Sequence, residues 1–563
     1  METNVAMPQA GYAAQHGTDR RVTYPLSLAT RESNLSALGE EPFDIVVVGA
    51  GITGAGVARE AAMRGMRVAL VEKEDFASGT SSRSSRLVHG GLRYLEHGEL
   101  HLVYEASRER RILLRIAPHL VRPLRFLWPI FEKTRIPRWK LRAGFVLYDA
   151  LALFRNIASH HSLDRQRVLD EEPALRQAGL RAGVNYFDAA TDDIRLTIAN
   201  VRAAAGSGAL VVNHLAVRSM SKEGALVNGV SVEDSLTGRS VTIAARTVVN
   251  ATGPWSDELR RLANPDARPS VRGTKGVHVA VAQSRIGNNG ALTLLSPIDG
   301  RVVFILPAGR LTIIGTTDSD YSGPPDQVLP TAADVTYLLR TANSFFPSAH
   351  LVAGDVVSAW AGIRPLVSDG EGAPGSVSRE HAVHWTAPGL LSVSGGKLTT
   401  YRSMAQDVVD EIARSIGTPV VHAPTARVPL PGGDMASFEE EVARARAMIG
   451  VDDVADHLVA AYGTEWRDIW AIVESDNALV ARVSPELPYI AAEIHWAVEQ
   501  EMALTIADIL VRRLHVAFET HDHGVSAAPA VARVAAPLLG WTGERIEAEL
   551  ARYGREVGGI FGG

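Results

Sequence analysis

Three cationic side chains in the second half of the chain have the chemistry of a phosphate-binding site. Arg364 lies in Gly-Ile-Arg-Pro-Leu, Arg379 in Val-Ser-Arg-Glu, and Lys397 in Gly-Gly-Lys. Forked guanidinium donors can engage several phosphate oxygens, while an ammonium adds a point charge. Turn-forming residues separate the two arginines, so we expect residues 359–364 and 376–385 to pair as a hairpin that brings both arginines to one end. Taken singly, each cation is also consistent with an ordinary surface charge.

A glycine-rich turn near the amino terminus has the pattern of a dinucleotide-binding unit. The apolar run Phe43–Val48 is typical of a buried strand, and Gly49, Gly51 and Gly54 open the helix that follows. Backbone N–H groups at such a helix start can approach a pyrophosphate closely. Glu72 ends the next strand, about twenty residues on, where a carboxylate can accept hydrogen bonds from an adenosine ribose. This order of elements predicts nucleotide binding and leaves NAD and FAD open.

Composition limits the chemistry and the compartment. The chain of 563 residues is longer than one ordinary domain, and its net charge of −6 gives no sign of nucleic-acid binding. The absence of cysteine excludes disulfides, thiolate metal sites, a cysteine nucleophile and a flavin linked through cysteine. Residues 1–40 are polar and lack an apolar signal core, and no later stretch has the length of a membrane span. We therefore expect an intracellular protein with residues 1–40 as a mobile tail.

The pattern of the chain predicts one interleaved α/β body followed by a helical domain. Short β-rich runs alternate with helical patterns across residues 41–420, which we take as the nucleotide and substrate domain. A Pro-Leu-Pro-Gly-Gly break falls in the expected linker, 421–435, and residues 436–563 are helical in pattern. The longest amphipathic stretch there is 493–518. The β-rich runs are 209–213, 224–232, 241–250, 278–281, 302–306 and 311–315.

The segment after Glu72 narrows the choice of nucleotide. Thr80, Ser81 and Ser82 form a hydroxyl-rich loop that leads to the run HGGLRY at 89–94. Hydroxyls can donate to phosphate or ribose, and paired glycines let the backbone lie flat against a planar ring. With these residues the chain resembles the FAD-dependent glycerol-3-phosphate dehydrogenases, whose pattern around the isoalloxazine is this Thr-Ser-Ser to His-Gly-Gly-Leu-Arg-Tyr run.

Further motifs match this family in order, from about residue 43 to residue 402 and more loosely beyond. NATGPW at 250–255 looks like the family's second flavin contact, and SGGKLTTYR at 394–402 opens a helix whose amides can point at the flavin. The resemblance implies an FAD-binding Rossmann-like domain of the D-amino-acid-oxidase type, interleaved with an antiparallel-sheet substrate domain. The FAD contacts it implies are Gly49, Gly51, Thr53, Gly54, Glu72, Thr80, Ser81, Ser82, His89, Gly90, Gly91, Leu92, Ala251, Thr252, Gly253, Trp255, Gly396, Lys397, Leu398 and Thr399.

The same resemblance implies the substrate and the reaction. Arg364, Arg379 and Lys397 match the family's phosphate- and product-binding positions, and Arg93 and Tyr94 match positions beside the flavin that complete this pocket. The implied reaction transfers a hydride from C2 of sn-glycerol 3-phosphate to FAD and gives dihydroxyacetone phosphate.

The catalytic candidates are two histidines and two of the cations. His89 and His278 lie in motifs that resemble flavin-proximal segments, and histidine titrates in the useful range for a proton acceptor. Arg364 and Lys397 can stabilise the nascent carbonyl oxygen. Proton loss assisted by an arginine or by water stays open.

The electron acceptor is not determined by these motifs, because the family includes quinone-coupled membrane enzymes and oxidases that reduce oxygen. Residues 108–142 are strongly basic and interleaved with leucines, phenylalanines and tryptophans. Such a stretch could lie at an anionic lipid surface, or it could form solvated helices with buried aromatic rings. Our preferred interpretation is a peripheral enzyme on the cytoplasmic face of the membrane that delivers electrons to a quinone.

The remaining features favour no further chemistry. His495 and Glu499 could share a helix face, but two ligands fall short of a metal site, so no metal is predicted. The Arg512-Arg513 pair fits contacts within the chain or between two copies in a homodimer. Two other function classes stay open: a flavin amine or D-amino-acid oxidase, which would need a carboxylate-binding arginine, and a non-enzymatic FAD-binding module with incidental cations.

Overall fold

The computed structural model describes residues 26–91, 99–132, 144–147, 158–367, 381–421 and 423–562. Four of the predicted site residues, Leu92, Arg93, Tyr94 and Arg379, lie outside these ranges, and so do residues 1–25 of the predicted tail. Within the described residues, no helix combines the length and apolar character needed to cross a lipid bilayer.

The strands of the described residues form two sheets, of eight and ten strands. Their bounds are β1 Phe43–Val48, β2 Val68–Val71, β3 Leu87–Val88, β4 Val121–Phe131, β5 His161–Asp164, β6 Leu180–Thr191, β7 Leu210–Val212, β8 Leu215–Glu223, β9 Leu226–Asp234, β10 Ser240–Asn250, β11 Val271–Ala282, β12 Ala291–Leu295, β13 Val302–Ala308, β14 Leu311–Gly315, β15 Ser319–Asp320, β16 Val356–Val367, β17 His381–Ala387 and β18 Leu390–Gly395.

The helices pack against both sheets and make up most of the carboxyl-terminal part of the chain. Their bounds are α1 Leu28–Ala37, α2 Ile52–Met63, α3 Leu100–Ile116, α4 Arg165–Glu171, α5 Asp193–Gly206, α6 Ser256–Ala263, α7 Gln283–Ile286, α8 Ala332–Phe345, α9 Tyr401–Ile416, α10 Phe438–Ile449, α11 Asp452–Tyr462, α12 Trp466–Ser475, α13 Ala491–Gln500, α14 Val516–Glu519, α15 Ala528–Leu539 and α16 Gly543–Phe561. A π-helix spans Asp508–Arg513.

The first sheet has a parallel centre that brings several strand ends to one edge. Its order is β17-β18-β10-β1-β2-β7, and β1 pairs in parallel with both β2 and β10. The apolar side chains of β1 and β2 are buried, as expected for a parallel sheet with helices on its faces. Val48 lies opposite Val71 and Asn250, and Asn250 lies opposite Ser392. The residues that follow β1, β2, β10 and β18 therefore meet at the same edge.

The second sheet is antiparallel except where β12 runs parallel to β4. Its order is β15-β11-β14-β13-β12-β4-β6-β3, with β16 on β11 and β5 on β6. Its strands come from chain segments that alternate with those of the first sheet. The interleaved α/β architecture predicted from the sequence is observed, and each of the six predicted β-rich runs overlaps an observed strand.

Three sequence-based predictions of structure are wrong for the described residues. Arg364 and the strand after Arg379 do not form a hairpin, because β16 pairs with β11 in the second sheet while β17 pairs with β18 in the first. The predicted amphipathic stretch 493–518 is broken: α13 ends at Gln500, and Met502 has a positive φ of 53°. The predicted tail is ordered as α1, because Arg31 is buried and its guanidinium binds Asp234 at 2.8 Å.

The carboxyl-terminal helices pack on the body of the protein rather than standing apart. One hydrophobic cluster contains Ala55 and Val57 of α2 together with Ile506 and Leu510 near the π-helix. A second cluster lies within the helical part and joins α10, α11 and α12 around Trp466. The nucleotide-binding helix therefore shares its core with the carboxyl-terminal region.

Candidate active site

A large cleft runs from the carboxyl edge of the first sheet to the face of the second sheet. Its volume is about 1230 Å³, which exceeds the roughly 300–1,000 Å³ of most small-molecule pockets. The cleft therefore has room for an extended dinucleotide and a small substrate together.

The start of α2 forms one end of this cleft. Gly51 caps the helix without a side-chain hydrogen bond, and the Ile52 amide donates to Ser81 Oγ at 2.9 Å. Gly49 has a φ of 100°, and a Cβ there would lie 2.8 Å from the Ala251 carbonyl oxygen. A Cβ on Gly54 would collide with the carbonyl oxygen of Gly49. The glycines are thus required for the close approach of helix and strands that leaves backbone amides facing the cleft.

Glu72 lies at the adjacent strand end with both carboxylate oxygens held by backbone. Oε2 accepts from the Ala50 amide at 2.7 Å, and Oε1 accepts from the Glu74 amide at 3.1 Å. Burial raises the pKa of Glu72, and these two N–H donors oppose the rise. Residues 215–218 line the same part of the cleft. These residues were not among the predicted cofactor contacts, because their sequence does not differ from that of an ordinary strand.

Two glycine-containing turns meet at the other end of the cleft. The His89 amide donates to Thr399 Oγ1 at 3.1 Å, which joins the segment after β3 to the turn after β18. Gly91 and Gly396 both have positive φ, at 73° and 77°. A Cβ on Gly396 would collide with Met404 of α9. Backbone therefore lines this end closely, as expected for a surface that accommodates a planar ring.

His278 lies on β11 of the second sheet and is buried at this end of the cleft. Its Nε2 lies 2.9 Å from Ser85 Oγ, and its ring stacks on Trp360 with centroids 5.6 Å apart. Its Nδ1 has no hydrogen-bond partner among the described residues. Burial, with the charges of Arg364 and Arg86 acting in the same direction, lowers the pKa of His278 to about 3. The imidazole is therefore neutral at physiological pH.

Arg364 lies next to His278 and is held in one orientation. Its Nη1 donates to Asp318 Oδ1 at 3.1 Å and its Nη2 donates to Thr316 Oγ1 at 2.8 Å. The guanidinium passes over Gly276, where a Cβ would overlap it. Its side chain keeps 23% of its surface exposed. Lys397 lines the same cleft from the turn after β18.

The cleft contains a further, partly buried cation that was not among the predicted site residues. Arg83 follows the hydroxyl-rich loop, and its Nη1 donates to the Ala361 carbonyl at 3.3 Å. Burial lowers the pKa of Arg83 below the usual arginine range. Its position in the quoted Thr-Ser-Ser run was the available signal, because that run was already expected to face the cofactor.

Aromatic side chains of the basic segment line the cleft and do not face outward. Phe126 and Trp128 on β4 are only 1% and 9% exposed, and both lie in the cleft wall with Tyr186 and Phe304. The interpretation of 108–142 as a lipid-facing surface is therefore wrong for its described residues, 108–132. The alternative of a solvated helix pair with buried aromatic rings is right about the buried rings and wrong about the second helix, since α3 is followed by strand β4.

Most predicted site residues are brought together by the fold. Gly54, Ser82 and Gly90 are absent from the cleft lining and lie behind it. The predicted residues that line the cleft are Gly49, Gly51, Thr53, Glu72, Thr80, Ser81, His89, Gly91, Ala251, Thr252, Gly253, Trp255, His278, Arg364, Gly396, Lys397, Leu398 and Thr399.

Known families match both parts of the chain. The model described as "FAD dependent oxidoreductase" matches residues 44–402, and the model described as "C-terminal domain of alpha-glycerophosphate oxidase" matches residues 423–546. Glycerol-3-phosphate dehydrogenase 2 of Mycobacterium tuberculosis is 40% identical, covering 94% of this chain and 90% of that protein. Aerobic glycerol-3-phosphate dehydrogenase of Staphylococcus aureus is 35% identical, covering 93% and 96%.

Solved structures confirm the predicted fold class. The glycerol-3-phosphate dehydrogenase from Bacillus halodurans, complexed with FAD, matches with a TM-score of 0.77 and 32% identity over 95% of this chain and 98% of that one. The L-alpha-glycerophosphate oxidase from Mycoplasma pneumoniae, with FAD bound, has a TM-score of 0.56 at 20% identity and covers 69% of this chain and 99% of that one. The second match is evidence of a shared fold only.

Proposed function

Because the chain belongs to the FAD-dependent glycerol-3-phosphate dehydrogenase family, we propose that it oxidises sn-glycerol 3-phosphate to dihydroxyacetone phosphate and passes the electrons to a membrane quinone. FAD, when bound, supplies the acceptor for the hydride from C2 of the substrate. The residues that would hold it are the α2 amides, Glu72, the turn at 89–91 and the turn at 395–399.

The observation that carries the substrate assignment is the placement of Arg364 beside neutral His278 in the cleft that Lys397 also lines. A phosphate dianion needs fixed cations, and Arg364 is oriented by Asp318 and Thr316. Lys397 adds a second positive charge from the opposite sheet. A carboxylate-bearing amino acid would need one such arginine and no second cation.

We assign the loss of the C2 hydroxyl proton to the neighbourhood of His278. Its neutral imidazole can accept a proton, and the stack on Trp360 fixes the plane of the ring. Ser85 Oγ, 2.9 Å from Nε2, fixes the ring orientation further. Arg364 stabilises negative charge on the oxygen as the carbonyl forms.

The proposed quinone acceptor is supported by an apolar opening of the cleft. Leu147 lines the cleft and is 40% exposed, and the adjacent Val146 is 54% exposed. Exposed apolar side chains at an opening suit a hydrophobic acceptor that arrives from a lipid phase, with the enzyme attached peripherally to the cytoplasmic face.

Anaerobic titration tests the substrate and the acceptor separately. We expect glycerol 3-phosphate to bleach the visible flavin band and D-alanine to leave it unchanged. Menaquinone and ubiquinone analogues in lipid vesicles should then restore the band faster than air-saturated buffer. Failure to bleach with any polyol phosphate would defeat the substrate assignment, and fast recovery only with oxygen would replace the quinone by oxygen as acceptor.

A further inference from the structure

A buried ion-pair network joins the cofactor-binding part of the chain to the carboxyl-terminal helices. Asp75 is fully buried, and its carboxylate accepts from Arg513 Nη1 at 2.7 Å, Arg513 Nη2 at 3.0 Å and Arg512 Nε at 2.8 Å. A fourth donor, Asn213 Nδ2, lies at 3.0 Å. Both arginines come from the π-helix Asp508–Arg513, more than 430 residues along the chain.

The geometry of this network fits guanidinium binding rather than a metal ion. Asp75, His214 and Asp508 place one ligand atom each within 4.8 Å of one another. The Asp508 carboxylate, however, accepts from Arg512 Nη2 at 2.7 Å and lies 3.0 Å from His214 Nε2. The two buried arginines already neutralise both carboxylates, so a divalent cation would add like charge beside them.

Asp75 begins a segment, 75–81, that ends at the cofactor cleft. The Ala77 amide donates to the Ala50 carbonyl at 3.2 Å, directly before the start of α2. Ser81 Oγ accepts from the Ile52 amide at 2.9 Å, and the Ser78 amide donates to the Asp75 carbonyl at 3.1 Å. Fixing the Asp75 carboxylate therefore fixes the hydroxyl and amide groups that lie three to six residues later in the cleft wall.

We propose that Arg512 and Arg513 clamp Asp75 and that, through this clamp, the carboxyl-terminal helices hold the 75–81 segment in the conformation that retains FAD. Asp75 acts as a positioning residue, because segment 75–81 contacts the cofactor site and Asp75 itself is not in the cleft lining. This inference concerns cofactor retention and is independent of the substrate and of the electron acceptor.

The chain offers a matched control pair between the same two parts. Arg202 of α5 binds Glu465, before α12, through two hydrogen bonds of 2.6 and 2.9 Å. Arg202 is buried, and neither residue lines the cleft. Asp75→Asn and Glu465→Gln each replace a carboxylate by its amide in a contact between a buried arginine and a carboxylate that joins body and helices. They differ in whether segment 75–81 is attached.

The test measures the FAD dissociation constant of each full-length holoenzyme. The holoenzyme is diluted, and the fluorescence of the released FAD is recorded well below the melting temperature of the variant. We expect Asp75→Asn to raise the constant about 10- to 100-fold, because the amide leaves buried guanidinium donors of Arg512 and Arg513 without a charged acceptor. Glu465→Gln should change the FAD dissociation constant less than about twofold, even if its melting temperature falls as much as that of Asp75→Asn. Equal constants in the two variants would overturn the proposal.

A milder substitution keeps the test decisive if Asp75→Asn does not fold. Arg513→Lys retains the positive charge and loses the forked contact with Asp75. We expect a rise of about threefold or more in the FAD dissociation constant, corresponding to loss of one directed hydrogen bond. A constant equal to that of the unmodified protein in folded Arg513→Lys would overturn the proposal.

Discussion

Substitution of Gly49 by alanine tests whether the close packing at the cleft edge is what binds FAD. Gly49 has a φ of 100°, a region that costs an L-residue roughly 1–3 kcal/mol. The new Cβ would also lie 2.8 Å from the Ala251 carbonyl oxygen and 3.1 Å from the Thr252 Cα, so the two strand ends must separate. Overpacking of this kind costs about 1–3 kcal/mol more. We expect the unfolding free energy to fall by about 2–6 kcal/mol in total.

The matched control is Gly65→Ala. Gly65 follows α2 and also has a positive φ, of 80°, but a Cβ there would meet nothing within 4 Å. Gly65→Ala therefore carries the backbone strain without the collision. Titration of each apoprotein with FAD, alongside urea denaturation, separates the two effects. We expect the FAD dissociation constant to rise at least about tenfold in Gly49→Ala and to stay within about twofold in Gly65→Ala. Equal FAD affinity in the two variants would refute the reasoning.

Three further substitutions test other parts of the structure. The pKa of His278 is lowered to about 3, so between about pH 6.5 and 3 the unfolded chain binds this proton more readily than the folded protein does. His278 therefore makes the unfolding free energy fall with falling pH, by up to about 1.4 kcal/mol per pH unit. Urea denaturation at several pH values should show a weaker pH dependence of the unfolding free energy in His278→Asn, and an unchanged pH dependence would contradict this. Arg31→Met should lower the unfolding free energy by about 3–5 kcal/mol, because it removes the cationic partner of the buried Asp234 carboxylate. Arg414→Met, at an exposed ion pair, should lower it by less than about 1 kcal/mol. Similar losses in the two variants would argue against the α1 contact. Arg364→Lys keeps the positive charge but loses the paired donors of the guanidinium, so kcat/KM for glycerol 3-phosphate should fall about 10- to 150-fold. Arg285→Lys, at an exposed ion pair, should leave kcat/KM unchanged. Equal activities of the two variants would show that Arg364 does not belong to the substrate site.

The part of the fold that the sequence predicted well depends on local signals. The strand Phe43–Val48, the glycines and Glu72 are neighbours in sequence, and their order alone determines a parallel unit with its carboxyl edge in one place. The meeting of that edge with the turns at 251–255 and 395–399 followed from the family resemblance. Local pattern could not supply it, because β10 pairs with β1 across about two hundred residues and β18 pairs with β10 across about a hundred and forty.

The wrong predictions share a physical cause, which is that partners of strands and helices are chosen by tertiary packing. Turn-rich residues after Val367 suggested a hairpin, yet β16 pairs with β11 along its whole length because both carry buried apolar residues on the second sheet. The basic neighbours of Phe126 and Trp128 suggested an exposed segment. The two residues are two apart on β4, however, and therefore share the face of the strand that lines the cleft. Arg31 was assigned to a tail because its partner, Asp234, lies about two hundred residues away.

The charges around His278 link the proposed phosphate site to the proposed proton transfer. Burial is the largest cause of its low pKa, and the fields of Arg364 and Arg86 come next. A phosphate dianion at Arg364 would offset part of that positive field, and so would raise the proton affinity of His278 when the phosphorylated substrate is present. A neutral polyol would leave the positive field of the two arginines unchanged, and His278 would stay a very weak base. The cation that selects phosphate therefore also makes proton acceptance depend on it, and for this reason we place both roles in one site.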